Sequence, residues 1–80
     1  MSTLAVKTNQ PFAVDIKFDN SMMHIRLLDG RIISVPLEWF PRLRDAASKQ
    51  LKKWRLIGKG IGIHWDDLDE DISIPALLET

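Results

Sequence analysis

From Phe12 the chain alternates apolar and polar positions with period two: Phe12, Val14, Ile16 and Phe18 against Ala13, Asp15 and Lys17. Successive side chains of a strand point to opposite faces, so this run predicts a half-buried strand. Asp19-Asn20-Ser21 has the composition of a turn. Met22 to Leu28 and Arg31 to Val35 then predict two more strands, joined at Asp29-Gly30. A two-residue loop would pair Arg26 with Ile33 and mix polar and apolar side chains on both faces. A three-residue loop with Gly30 in the left-handed position pairs Ile25 with Ile33 and Met23 with Val35. It gathers His24, Arg26 and Ser34 on the outer face. One face must be buried, so the bulged register is expected, with Ile32 left unexplained on the outside.

Pro36 ends the third strand because proline cannot donate to a ladder. Leu37 to Phe40 predicts a helical turn, and Pro41 suits the first turn of the helix that follows. Leu43, Ala46, Ala47, Leu51 and Trp54 fall on one side at helical spacing, with Arg42, Lys49 and Lys53 as a stripe on another. Asp45 stands four residues before Lys49, a favourable helical pair. Ser48 could cap a second, shorter helix, so one kinked helix and two short ones both fit. Past Trp54-Arg55-Leu56-Ile57, the glycines at 58, 60 and 62 and the alternating Ile61, Ile63 and Trp65 predict a fourth strand bent at the glycines. Ala76-Leu77-Leu78 predicts a last helical turn with its leucines on the core.

The expected architecture is therefore α+β: a small antiparallel sheet of about four strands in β-β-β-α-β-α order, packed on one kinked helix or two short ones. Residues 1–10 read as a flexible arm and 11–80 as a single domain. At 80 residues such a domain buries roughly 60% of its unfolded surface, and no cysteine is available to reinforce it. The absence of cysteine fits a reducing cytosol. The sequence shows no apolar run of ~20 residues and no secretory signal, so a cytoplasmic protein without membrane association is expected.

The net charge is zero, yet the charges are segregated. Residues 41–59 carry seven bases against Asp45, a net of +6, whereas residues 60–80 carry six acids and no base, a net of −6. Five of those acids fall between Asp66 and Asp71. If the two poles touch, the fold neutralises itself. If they point apart, His64, Asp66, Asp67, Asp69, Glu70 and Asp71 form a candidate interaction surface, and Arg42, Lys49 and Lys53 a candidate basic face.

The same residues invite sharper chemistry. Asp67, Asp69 and Asp71 alternate like the first ligands of a calcium loop, but Ile72 stands where that loop turns on glycine and Leu78 where it needs glutamate. His64 with Asp66 or Asp67 offers too few ligands for a closed transition-metal site. His64 as a general base lacks a recognisable nucleophile. The glycines at 58, 60 and 62 lead into acids rather than into the helix of a phosphate loop. The basic segment could contact nucleic acid, though no recognition motif accompanies it. Trp39, Trp54 and Trp65 suit a small core; one of them exposed beside Phe40 would mark a protein-binding patch. No catalytic residue, cofactor or metal ligand is assigned.

Pro36-Leu37-Glu38-Trp39-Phe40-Pro41-Arg42-Leu43, Trp54-Arg55-Leu56, Gly62-Ile63-His64-Trp65, Leu68-Asp69-Glu70-Asp71-Ile72-Ser73 and Leu77-Leu78 together resemble the bacterial domain-of-unknown-function 2442 family. The resemblance spans about Phe12 to Leu78, and Asp66 departs from the proline that relatives often carry. It implies a small α+β domain with no established enzymatic activity, in a family whose members can occur beside another small protein in a toxin–antitoxin-like arrangement. The leading expectation is a non-enzymatic protein-interaction or regulatory module, the antitoxin-like partner of a small protein or self-associating. The alternatives are a metal-binding protein or metal-dependent hydrolase built on His64 and Asp66–Asp71, and a nucleic-acid-binding regulator built on residues 41–59.

Overall fold

The computed structural model describes residues 11–79; the expected arm at residues 1–10 lies outside them. The chain forms two three-stranded antiparallel meanders rather than one four-stranded sheet. The first is β1 (Ala13–Phe18), β2 (Met22–Leu27) and β3 (Ile32–Pro36), and the second is β4 (Trp54–Ile57), β5 (Gly62–Trp65) and β6 (Glu70–Ser73). A 3-10 turn at Leu37–Trp39 and two one-turn helices, α1 (Pro41–Arg44) and α2 (Ser48–Leu51), connect them, and α3 (Ile74–Leu78) follows β6.

The β2–β3 hairpin has the bulged register: Ile25 faces Ile33, Met23 faces Val35, and Gly30 has φ +98°. The first strand departs from its alternation. Ala13 pairs with Leu27 but Asp15 with Arg26, so Val14 is an extra residue in a β-bulge. The bulge reverses the faces, burying Ala13 along with Ile16 and leaving Val14 only half-buried.

The segment 41–54 is not one helix. Ala47 is extended (φ −72°, ψ 154°), and α2 restarts beyond it, its first turn held by the Ala47 N–H donating to Gln50 Oε1 at 3.0 Å. Ala47, not Ser48, is therefore the residue at the cap position. With the helix broken, Asp45 no longer faces Lys49 and pairs with Arg44 at 2.9 Å. Trp54, expected on the helix face, begins β4.

The glycines at 58 and 60 reverse the chain instead of bending a strand. Gly58–Gly60 is a 3-10 turn between β4 and β5, which pair as a hairpin with Trp54 opposite Trp65 and Leu56 opposite Ile63. The acids that follow Trp65 form the four-residue loop Asp66–Asp69 of a second hairpin, with Asp69 at φ +51°, a conformation Asp tolerates better than most residues. Glu70 and Asp71 belong to β6, a strand that was not expected because its acids hide its single core residue, Ile72.

One core joins both meanders. Met23, Ile25, Leu27 and Val35 of the first meet Ile63, Trp65 and Ile72 of the second, with Leu37, Leu43, Leu51 and Ile74 filling between. Trp65 is fully buried, and its indole N–H donates to the Leu51 carbonyl at 3.0 Å. This satisfies an acceptor at the end of α2 that has no partner within the helix. Gly60 (φ +107°) passes so close to β1 that a Cβ there would meet the Ala13 carbonyl oxygen at 2.4 Å. At α3, Ser73 Oγ accepts from the Ala76 N–H, Ile74 and Leu77 pack inward, and Leu78 is exposed, so only one of the two leucines reaches the core.

Candidate functional site

The acidic loop lies against the basic segment. Arg55 on β4 makes a two-pronged contact with Asp66 at 3.1 and 3.3 Å. Lys53 reaches Asp67 at 3.4 Å, and Arg42 donates to the backbone carbonyl of Asp69, with its carboxylate 3.9 Å away. The poles touch. Of the candidate basic face, Arg42 and Lys53 are engaged by the acids, and Lys49 is exposed on the separate α2.

His64 sits at the centre of this system. The pairing of the second meander places Arg55, His64 and Asp71 side by side across three strands on its outer face. One ring nitrogen of His64 bonds Asp71 and the other lies 2.9 Å from Asp66. The bond to Asp71 comes first, and the charges of Asp71 and Asp66 add to it, in holding the ring's pKa above its ordinary value; partial desolvation and Arg55 pull the other way. Arg55 in turn holds the Asp66 carboxyl below its usual range. Both ring nitrogens of His64 are thus turned toward carboxylates. Among the described residues no group of three or more His, Asp or Glu is arranged to hold a metal ion. Asp66, Asp67 and Asp71 face the bases and the histidine of this system, with Asp69 and Glu70 toward its edge.

A second polar cluster was not foreseen. His24 on β2 lies 2.7 Å from Ser34 Oγ through Nδ1 and 2.8 Å from Asp19 through Nε2. The sequence pattern placed His24 and Ser34 on one face but gave no hint of Asp19, which the β1–β2 turn folds back over them. Asp19 also accepts from the Ser21 and Met22 N–H groups, and the His24 bond with these two lowers its pKa to about 2. The trio has the residue types of a hydrolytic triad. Ser34, however, stands mid-strand, not on a turn that would aim N–H pairs at an oxyanion. Its evident work is to staple the turn to β3.

The apolar surface lies elsewhere. Trp39 is 56% exposed and stands with the half-buried Phe40 on one wall of a groove of about 350 Å³. Ala76 and Leu77 of α3 and the three consecutive β6 residues Asp71, Ile72 and Ser73 line the rest. The proline-bounded segment Pro36–Pro41 holds Trp39 outward by turning Leu37 into the core. Trp39, expected with Trp54 and Trp65 in the core, is instead the exposed tryptophan beside Phe40.

Two meanders sharing one core, three short helices and an apolar groove define a small α+β domain. The family model described as "Protein of unknown function (DUF2442)" matches residues 13–80, and the chain belongs to that family. It is also similar to a crystal structure of a protein of unknown function from Rhodospirillum rubrum ATCC 11170, at 30% identity and a TM-score of 0.76 over 89% of this chain and 88% of that one. No curated protein matches.

Proposed function

We propose that the protein is a non-catalytic interaction module of the bacterial cytosol whose docking surface is the Trp39–Phe40 groove. The observation that carries this reading is the exposure of Trp39, a large aromatic side chain on a rigid, proline-bounded turn beside an apolar groove. Aromatic anchors of this kind dominate protein interfaces because they bury much area at little entropic cost. The reading moves the candidate surface away from the acidic loop, whose charges are largely met within the fold. The basic segment is a weaker nucleic-acid contact for the same reason: Arg42, Lys53 and Arg55 already face carboxylates. In its finer form the partner is another small protein, in an antitoxin-like arrangement.

Co-purification of the full chain from its host, with wild type and Trp39→Ala side by side, tests the reading. A stoichiometric partner held by the wild type and lost by the variant is the expected result. A strictly monomeric wild type with no stable partner, or a partner held equally by both, would overturn it.

A further inference from the structure

The groove touches β6 in an unusual way. Side chains of consecutive strand residues point to opposite faces, so a cavity on one face of a strand is lined by alternate residues. Here Asp71, Ile72 and Ser73 line it in unbroken succession. The groove therefore runs along the edge of the strand, where both faces and the backbone can be reached. β6 is an outer strand of its meander, with β5 on one side and, among the described residues, no strand on the other. An edge strand presents a row of N–H and C=O groups able to pair with an added strand.

Charge decides what could be added. The groove's lining holds one acid, Asp71, and no base. Within two residues of the lining in sequence stand four acids, Glu38, Asp69, Glu70 and Glu79, and one base, Arg42, which already donates to the Asp69 carbonyl. Arg44 compensates Glu38 and His64 compensates Asp71, but Glu70 and Glu79 have no ion-pair partner among the described residues. A second copy pairing β6 to β6 would bring two Glu70-Asp71 runs together, an arrangement that like-charge repulsion opposes. A segment carrying lysine or arginine would be attracted.

We propose that β6 accepts an extended, basic segment of a partner protein as a fourth strand, with one large apolar side chain of that segment seated between Trp39, Phe40 and Leu77. Main-chain pairing supplies affinity, the apolar seat fixes register, and the acids select the partner's charge. The proposal rests on the interaction reading above and names the kind of partner that surface takes.

The test uses the full-length, 15N-labelled protein and four synthetic peptides, followed by NMR shift perturbation. One peptide alternates lysine and valine about a central leucine. The second replaces lysine by glutamate. The third is the basic peptide N-methylated on alternate residues along one edge, and the fourth is N-methylated along the other. The basic peptide is expected to shift the amides of Trp39, Phe40 and Glu70–Ser73 and to slow β6 hydrogen exchange. The acidic peptide should not bind, and one of the two N-methylated peptides should bind at least tenfold more weakly than the parent. Trp39→Ala should lower affinity on the order of thirtyfold. The isosteric pair Glu70→Gln with Glu79→Gln should lower it several-fold, with a smaller salt dependence. Shifts confined to Trp39, Phe40 and Leu77, unaffected by N-methylation, would overturn strand addition while leaving the docking groove intact. No binding at millimolar peptide, or equal binding of basic and acidic peptides, would overturn the inference whether or not co-purification finds a partner.

Discussion

The close approach of Gly60 to Ala13 is where the two meanders lock together, and Gly60→Ala tests it. The substitution has two costs. At φ +107° an L-residue is strained, roughly 1–2 kcal/mol by analogy with the left-handed helical region. The new Cβ would also stand 2.4 Å from the Ala13 carbonyl oxygen and 3.0 Å from its nitrogen, against an ordinary contact near 3.4 Å or more. The obstacle is backbone, so relief requires the meanders to part, an overpacking cost of about 1–3 kcal/mol. The sum, about 2–5 kcal/mol, is a large share of the ~4–12 kcal/mol expected for a domain of this size. Gly30→Ala is the matched control. Its φ is +98° but a Cβ there meets nothing within 4 Å, so only the strain of about 1–2 kcal/mol remains. Thermal melting by circular dichroism should place Gly60→Ala roughly 5–20 °C below Gly30→Ala. Adding Ala13→Gly should not rescue it, because the atoms met belong to the Ala13 backbone. Equal melting temperatures for the two glycine variants, or rescue by Ala13→Gly, would refute the packing of β1 on the Gly58–Gly60 turn.

Other expectations follow from the same contacts. Trp65→Phe removes the indole N–H from the Leu51 carbonyl and leaves a small void, and urea unfolding should report a loss of about 2–3 kcal/mol. Trp39→Ala should change stability by no more than about 0.5 kcal/mol, since the side chain is mostly solvated; a larger loss would mean that Trp39 serves the fold rather than a partner. The raised His64 pKa means that its contribution to stability is complete below the unfolded-state value near 6.5 and is lost as pH rises through the folded-state value. An NMR titration should find the His64 midpoint above 6.5, and Asp71→Asn should move it down; a wild-type midpoint at or below 6.5 would contradict the paired geometry. Asp19, held near 2, stabilises above its unfolded value of 3.8 and stops doing so as pH falls toward 2, so Asp19→Asn should flatten acid unfolding across that interval.

Local pattern carried the chain up to Pro41. The first hairpin's register follows from the need to bury one face, and the pairing of Ile25 with Ile33 obeys it. Pro36 and Pro41 set the bounds of the turn that projects Trp39, and the segregated charges foretold poles that could meet. The alternation of Phe12 to Phe18 was also legible, but the bulge at Val14 was not; it lies beside Ala13, whose backbone is approached by Gly60, 47 residues away in sequence. The second meander was the main thing hidden. Its strands are four residues each, too short for a period to declare itself, and β6 carries one core residue among acids.

Residue order thus settled what each short stretch prefers: which face of a strand is apolar, where proline stops a ladder, which segment is acidic. Tertiary packing decided how those stretches face one another. It turned two glycines into a reversal, gave His64 two carboxylates, brought the charged poles into contact, and left Trp39 outside beside the edge of β6. The reason is physical. A period of two or of 3.6 is a property of neighbours along the chain, whereas exposure, pairing and charge compensation belong to residues brought together from opposite ends of it.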